Sequence, residues 1–208
     1  MTLSVLPHAL RASEIDDETL SPVGSQSFRQ AMRQLASGVC IVAHGAGAAR
    51  AGMTATEVAS LSLEPPSLVV CVNQSASCCS GLALGVAFTV NVLGAHQEQF
   101  ADRFAGRAGL EGAARFHEGR WIESPLGAPA LADSLAVFEC FVEDLVVKHT
   151  HALVIGRVAS VASRRQGGAL VCWRGAYDQL GWNADELSRA VGQTPPTPKQ
   201  PPALPNAT

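Results

Sequence analysis

The run "SFRQAMRQLASG" places Phe28, Met32 and Leu35 at i, i+4 and i+7, the spacing that gathers apolar side chains on one face of an α-helix. Ser27 precedes Gln30 by three positions, a capping-box spacing, and Gly38 supplies a stop, so a helix is predicted over 27–38. Beyond it the pattern changes. Short runs rich in branched apolar residues follow: "VCIVAH" (39–44), "SLVVCVN" (67–73), "AFTVNVL" (87–93), "AVFECFVEDLVV" (136–147), "HALVIGRVASV" (151–161) and "ALVCWRG" (169–175). Each predicts a strand. Only short helical patches separate them, such as "AHQEQFADRFAG" with Phe100 and Phe104 at i, i+4. Regular alternation of strand and long helix is missing, so a closed antiparallel barrel, mainly β with peripheral helices, fits better than a parallel sheet. The ends carry no such pattern. Residues 1–25 read as a flexible arm, the stretch "GQTPPTPKQPPALPNAT" with its six prolines makes 191–208 a disordered tail, and 26–190 remain as the folding domain.

Within "GMTATEVAS" (52–60) the hydroxyls are dense. If the segment is extended, Thr54, Thr56, Ser60 and the nearby Ser62 share one side. That strip is either an ordinary solvated strand face or a row of donors for a ligand. It leads through Pro65-Pro66 into a strand that exits at Asn73, Gln74, Ser75 and Ser77, a polar loop or a cradle for an anion.

Composition narrows the partner. With 15 Lys+Arg against 18 Asp+Glu, a net charge of -3 and no basic block, nothing recruits nucleic acid or an anionic membrane. No apolar run reaches membrane-helix length and the start lacks a leader pattern, which points to a cytoplasmic protein with a small-molecule partner. Cys40, Cys71, Cys78, Cys79, Cys140 and Cys172 form no CxxC pair and read as reduced thiols, mostly buried. The vicinal pair Cys78-Cys79 leaves a redox or soft-metal role open. "HGAGAARAG" fails as a dinucleotide fingerprint because Arg50 stands where the third glycine belongs, and it reads as a hairpin turn. Phosphate-loop, zincin and serine-hydrolase motifs do not occur.

Taken together, "FRQAMRQLASGVCIV", "GMTATEVASLSLEPPSLVVCVN", "FTVNVL", "RFAG", "RF..GRW", "SPLGAPALADSLAVFEC" and "THALVIGRV" resemble, in order and over about residues 26–180, the flavin reductase domain of two-component flavin-dependent monooxygenases. The resemblance implies an FMN-binding split β-barrel, a homodimer, and reduction of FMN or FAD by NADH or NADPH for a partner oxygenase. It implies flavin-ring contacts at Thr54, Ala55 and Thr56, phosphate-side contacts at Ser60, Asn73, Ser75 and Ser77, and a third phosphate-side element at Arg103, Phe104, Ala105 and Gly106. Arg103 also suits a helix cap or a snorkelling surface cation. His151 matches a histidine facing the nicotinamide, but His149 and Thr150 stand where the family commonly has Gly and Asp. His149 and His151, two apart on a strand, would also suit a metal pair. Trp173, Arg174 and Tyr177 match a closing segment that lies over the cofactor or merely plugs the barrel end. The alternatives are a flavin- or haem-binding protein without turnover, and a reductase of a corrinoid or ferric chelate.

Overall fold

The computed structural model describes residues 23–164 and 167–181, so nearly all of the N-terminal arm, residues 182–190 and the Pro-rich tail lie outside the described residues. The chain divides into two units, Met1–Leu35 and Ala36–Thr208. The first contributes helix α1, Ser25–Met32. It starts before and ends earlier than the predicted span. Gly24 is the N-cap residue and Ser27 lies inside the helix with no capping bond. At the other end, Gln34 and Leu35 donate to Ala31 and Met32, tightening the last turn, and Ser37–Gly38 is already strand β1.

The second unit is built from β1 and eleven further strands. These are β2 (Cys40–His44), β3 (Ala51–Ala55), β4 (Val58–Leu63), β5 (Pro66–Asn73), β6 (Ala87–Val92), β7 (Trp121–Glu123), β8 (Pro129–Leu131), β9 (Ala136–Lys148), β10 (His151–Ser163), β11 (Ala169–Trp173) and β12 (Ala176–Leu180). Helix α2, Glu98–Phe104, occupies the predicted helical patch. All six runs read as strands are strands. Of the others, β1, β7 and β8 are too short for an alternating pattern to stand out, β12 carries no apolar run, and β3 and β4 make up the hydroxyl-rich stretch.

Seven strands form one antiparallel sheet in the order β3-β2-β6-β9-β10-β5-β4. The two strands at its ends, β3 and β4, are consecutive in the chain and separated only by Thr56-Glu57. The sheet must therefore curl until its ends meet, and the Cys71 N–H donates to Glu57 O at 3.0 Å, carrying the β4–β5 ladder into the link. This is the expected barrel. Alternating residues fill it: Cys40 and Val42 from β2, Val70 and Val72 from β5, Phe88 and Val90 from β6, Cys140 and Val142 from β9. Gly156 on β10 makes room for the largest of them, since a Cβ there would lie 2.5 Å from Phe88 Cζ.

A second core lies outside the barrel wall. Ile41 and Ala43, the other face of β2, pack with Ala101 and Phe104 of α2, with Phe116, and with Leu170 of β11. Strand β2 is thus buried on both faces, which is why its sequence is a continuous apolar run instead of an alternation. The β2–β3 connection is the predicted glycine turn: Gly45 has φ +75° and a Cβ there would meet Ala49 O at 2.4 Å. One expectation fails. The hydroxyl strip is not one strand face, because the chain turns at Thr56-Glu57 and puts Thr54 on one end strand of the sheet and Ser60 and Ser62 on the other.

No helix among the described residues is long and apolar enough to cross a membrane. All six cysteines are free thiols. Burial raises Cys40 and Cys78 to about 11 and Cys140 to about 12. In native protein at neutral pH, iodoacetamide should leave these three unlabelled, whereas denaturant exposes all six; mass mapping of the labelled peptides checks this. Because the folded thiols hold their protons more tightly than the unfolded ones, the stability they confer is intact below pH 9. It is lost as pH rises from 9 toward 11–12, so the denaturation midpoint should fall over that window.

Candidate functional site

The join between β3 and β4 positions the candidate site. Thr54 stands opposite Ile41 on β3, and its hydroxyl donates to the Ala101 carbonyl at 2.6 Å, tying the C-terminal part of α2 to the strand. Arg115 makes the same connection from the far side. Its guanidinium donates to Gly52 O at 2.9 Å, Phe104 O at 3.3 Å and, through Nε, Leu110 O at 2.8 Å. Sequence reasoning assigned Arg115 no role, since an arginine that bonds only carbonyls leaves no partner residue to detect.

Following β3 outward, Ala55 is buried in the barrel core, Thr56 is half-buried, and Glu57 bonds to Cys71, two residues before Asn73. The loop after β5 is internally braced. Asn73 Oδ1 accepts from the Ser75 N–H at 2.9 Å and from the Ser75 hydroxyl at 2.8 Å, an Asx turn. Gln74 fastens this loop to the β9–β10 turn: its N–H donates to Thr150 O at 3.0 Å and its side-chain amide to His149 O at 2.7 Å. His151 is directly opposite Asn73 in the β5–β10 register. Thr150 Oγ1 lies 2.9 Å from His151 Nδ1, so the hydroxyl orients the imidazole and Nε2 is its free nitrogen.

The fold therefore joins, in one continuous rim, the end of α2, the Thr54-Ala55-Thr56 segment, the Asn73–Ser77 loop and His151. At the α2 end two arginines each face a carboxylate. Arg103 pairs with Glu118 while its buried Nε has no acceptor among the described residues, and Arg107 pairs with Asp102 at 2.7 Å and lies 5.3 Å over the Tyr177 ring. Burial raises the Tyr177 hydroxyl above its ordinary value. Ala105 and Gly106 form the exposed turn that follows the helix.

Several expectations need correction. The Phe104 ring does not face the rim; it sits in the second core, 4.9 Å from Phe116 and 5.3 Å from Trp121. Ser60 is opposite Leu68, five residues along β5 from Asn73 and so roughly 16 Å away at strand rise, beside an apolar cavity of about 360 Å³ with Ser62, Phe138 and Val161. His149 and His151 do not share a strand face, since His149 is in the turn with φ 52°. Among the described residues no three His, Cys, Asp or Glu side chains gather to hold a metal ion. Tyr177 lies on its own strand, β12, while Trp173 ends β11 under the Arg174 guanidinium at 4.4 Å.

The geometry offers three things. β3 ends the sheet, so one edge of its backbone is outside the strand ladder and presents donors and acceptors in alternation. A braced polar loop and arginines flank it, and a histidine closes one side. Such a rim matches a flat heterocycle with an anionic tail.

Comparison with known proteins points the same way. The family model for the flavin reductase like domain matches residues 32–181. The chain is 34% identical over 202 residues to the FMN reductase (NADH) RutF of Methylorubrum extorquens, covering 94% of this chain and 98% of that relative. Among solved structures it is similar to BorF, the flavin reductase component of a bacterial two-component tryptophan halogenase, at 31% identity and TM-score 0.70, covering 77% of this chain and all of that one. It also resembles the Streptomyces globisporus C-1027 NADH:FAD oxidoreductase SgcE6, solved with NAD and FAD fragments, at 27% identity and TM-score 0.70, covering 80% of this chain and all of that one.

Replacing Thr54 by Val keeps the shape and removes one of the two donors to the Ala101 carbonyl, which still accepts the Ala105 N–H at 2.9 Å. The expected cost is about 0.5–1.5 kcal/mol in urea unfolding, with Thr54→Ser recovering most of it.

Proposed function

The chain belongs to the flavin reductase like domain family, and from that premise we propose that it is a flavin reductase that oxidises NADH and hands reduced FMN to a partner oxygenase. The observation that carries the reading is the continuity of the rim: strand-edge backbone, braced loop, arginines and His151 adjoin in one chain. The RutF relative's name supports FMN and NADH, and BorF's role as a component of a two-component system supports a downstream acceptor protein.

In this reading the backbone from Thr54 to Thr56 lies along the flavin ring, with Thr54's hydroxyl serving to hold α2 in place. Asn73, Ser75 and Ser77, together with Arg103, Ala105 and Gly106, hold the ribityl phosphate. An anion beside α2 gives the orphaned Arg103 Nε its missing acceptor. When bound, the flavin supplies a two-electron acceptor for the hydride of the nicotinamide. The residues then have to stack two rings and keep water out, and the N–H donors of the strand edge favour the negative charge that accompanies reduction. His151, oriented by Thr150 where the family commonly has a carboxylate, faces the nicotinamide and handles a proton through Nε2. Tyr177, held under Arg107, closes the α2 side.

The enzyme works in the cytoplasm as a homodimer. Leu61, Leu63 and Val161, exposed by 53%, 83% and 54% near the apolar cavity that contains Ser60, form the surface for the second copy.

Anaerobic mixing with FMN and NADH tests the reading. The visible flavin absorbance should bleach, His151→Asn should slow bleaching by about tenfold or more at saturating substrate, and Asn73→Ala should raise the KM for flavin. Flavin that binds but stays oxidised under excess NADH would mean a binding protein without turnover, and overturn the proposal.

A further inference from the structure

The β7–β8 hairpin covers a row of polar side chains on the outer face of the barrel: Asn91 and Thr89 on β6 and Glu139 on β9. Two of the three are satisfied. Asn91 donates to Ile41 O at 3.0 Å and Thr89 Oγ1 at 2.9 Å and accepts from the Leu131 N–H at 2.8 Å, while Thr89 donates to Pro129 O at 2.5 Å. Glu139 is held more loosely. Only 5% exposed, its carboxyl accepts one long bond among the described residues, from the Leu126 N–H at 3.4 Å. Nearby, Ser124 is 7% exposed and its buried hydroxyl has no partner among the described residues. Both side chains line the same cavity of about 430 Å³, whose apolar wall includes Ile122, Val137 and Ala162. No rim residue contributes to it.

Burying the Ser124 hydroxyl without a partner costs free energy that an occupant bearing N–H donors returns, and the Glu139 carboxyl beside it has acceptor capacity for a charged donor. Arg120, which also lines the cavity, is largely exposed and adds a cation to the lining. Its guanidinium and that of Arg164 share one carboxylate, Asp133, at 3.1 and 2.9 Å, which leaves one positive charge in surplus. The Asp133 carboxyl is held below its ordinary range by those two arginines, so it remains charged and the count holds at neutral pH. An occupant matching these groups carries an ammonium and a carboxylate close together, with a short aliphatic side chain for the apolar wall. We propose that this cavity binds a small aliphatic aminocarboxylate, with its ammonium on Glu139 and Ser124 and its carboxylate toward Arg120.

The test uses the full chain, labelled with nitrogen-15, titrated with L-valine, isobutylamine and isobutyrate. L-valine should shift the Ser124, Leu126 and Glu139 amides saturably, and each single-ended analogue should bind about tenfold more weakly, the loss of one charge-assisted contact. Glu139→Gln should weaken valine binding about tenfold and Ser124→Ala severalfold, both with flavin affinity unchanged. No saturable shift up to about 10 mM would leave a water-filled pocket only and overturn the site. Isobutylamine binding as tightly as valine, or wild-type affinity in Glu139→Gln, overturns it too. Should Glu139→Gln fail to fold, wild-type affinity in Ser124→Ala does the same. None of these outcomes depends on flavin reduction.

Discussion

The constraint on which the rest of the structure hangs is the two-residue link Thr56-Glu57 between the strands at opposite ends of the seven-stranded sheet. A link that short cannot bridge a flat sheet, whose ends would stand six strand spacings apart, on the order of 28 Å. Closure follows from covalent geometry, and the site follows from closure. The same link carries the Thr54-Ala55-Thr56 segment to the Asn73 loop, so the place where the barrel is sealed is also where the donors gather.

Around that join, the anchoring is done by bonds to main-chain carbonyls. Thr54 holds Ala101, Arg115 holds Gly52, Phe104 and Leu110, and Gln74 holds His149. Polar side chains attached to backbone acceptors fix position without exposing a recognisable pair of residues. The groups proposed to bind the flavin, the strand edge, the loop and the arginines, are set on this braced scaffold.

That distinction explains what could be read from the sequence. The six apolar-rich strands and α2 were legible because burial on one or both faces writes itself into apolar spacing, as in "VCIVAH" and "AFTVNVL". The match of T-A-T, N-x-S-x-S and the β9–β10 histidine to a family order located the rim. The break of the hydroxyl strip at Thr56-Glu57 was not legible, because Thr and Ser sit as well in a strand as in a turn between strands. The Phe104 ring misled for a related reason: a motif records adjacency in the chain, whereas α2 turns Arg103 and Phe104 to different sides. Arg115 and Glu139 went unassigned since their partners are backbone or cavity.

Strand β2, walled in by the barrel interior on one face and by α2, β8 and β11 residues on the other, makes the two hydrophobic clusters share a partition. Neither cluster can melt while the other persists, because loosening the partition exposes both. The Ala36–Thr208 unit should therefore lose its structure in one cooperative event, with Ile41 and Val42, neighbours on opposite sides of the wall, as energetically coupled positions.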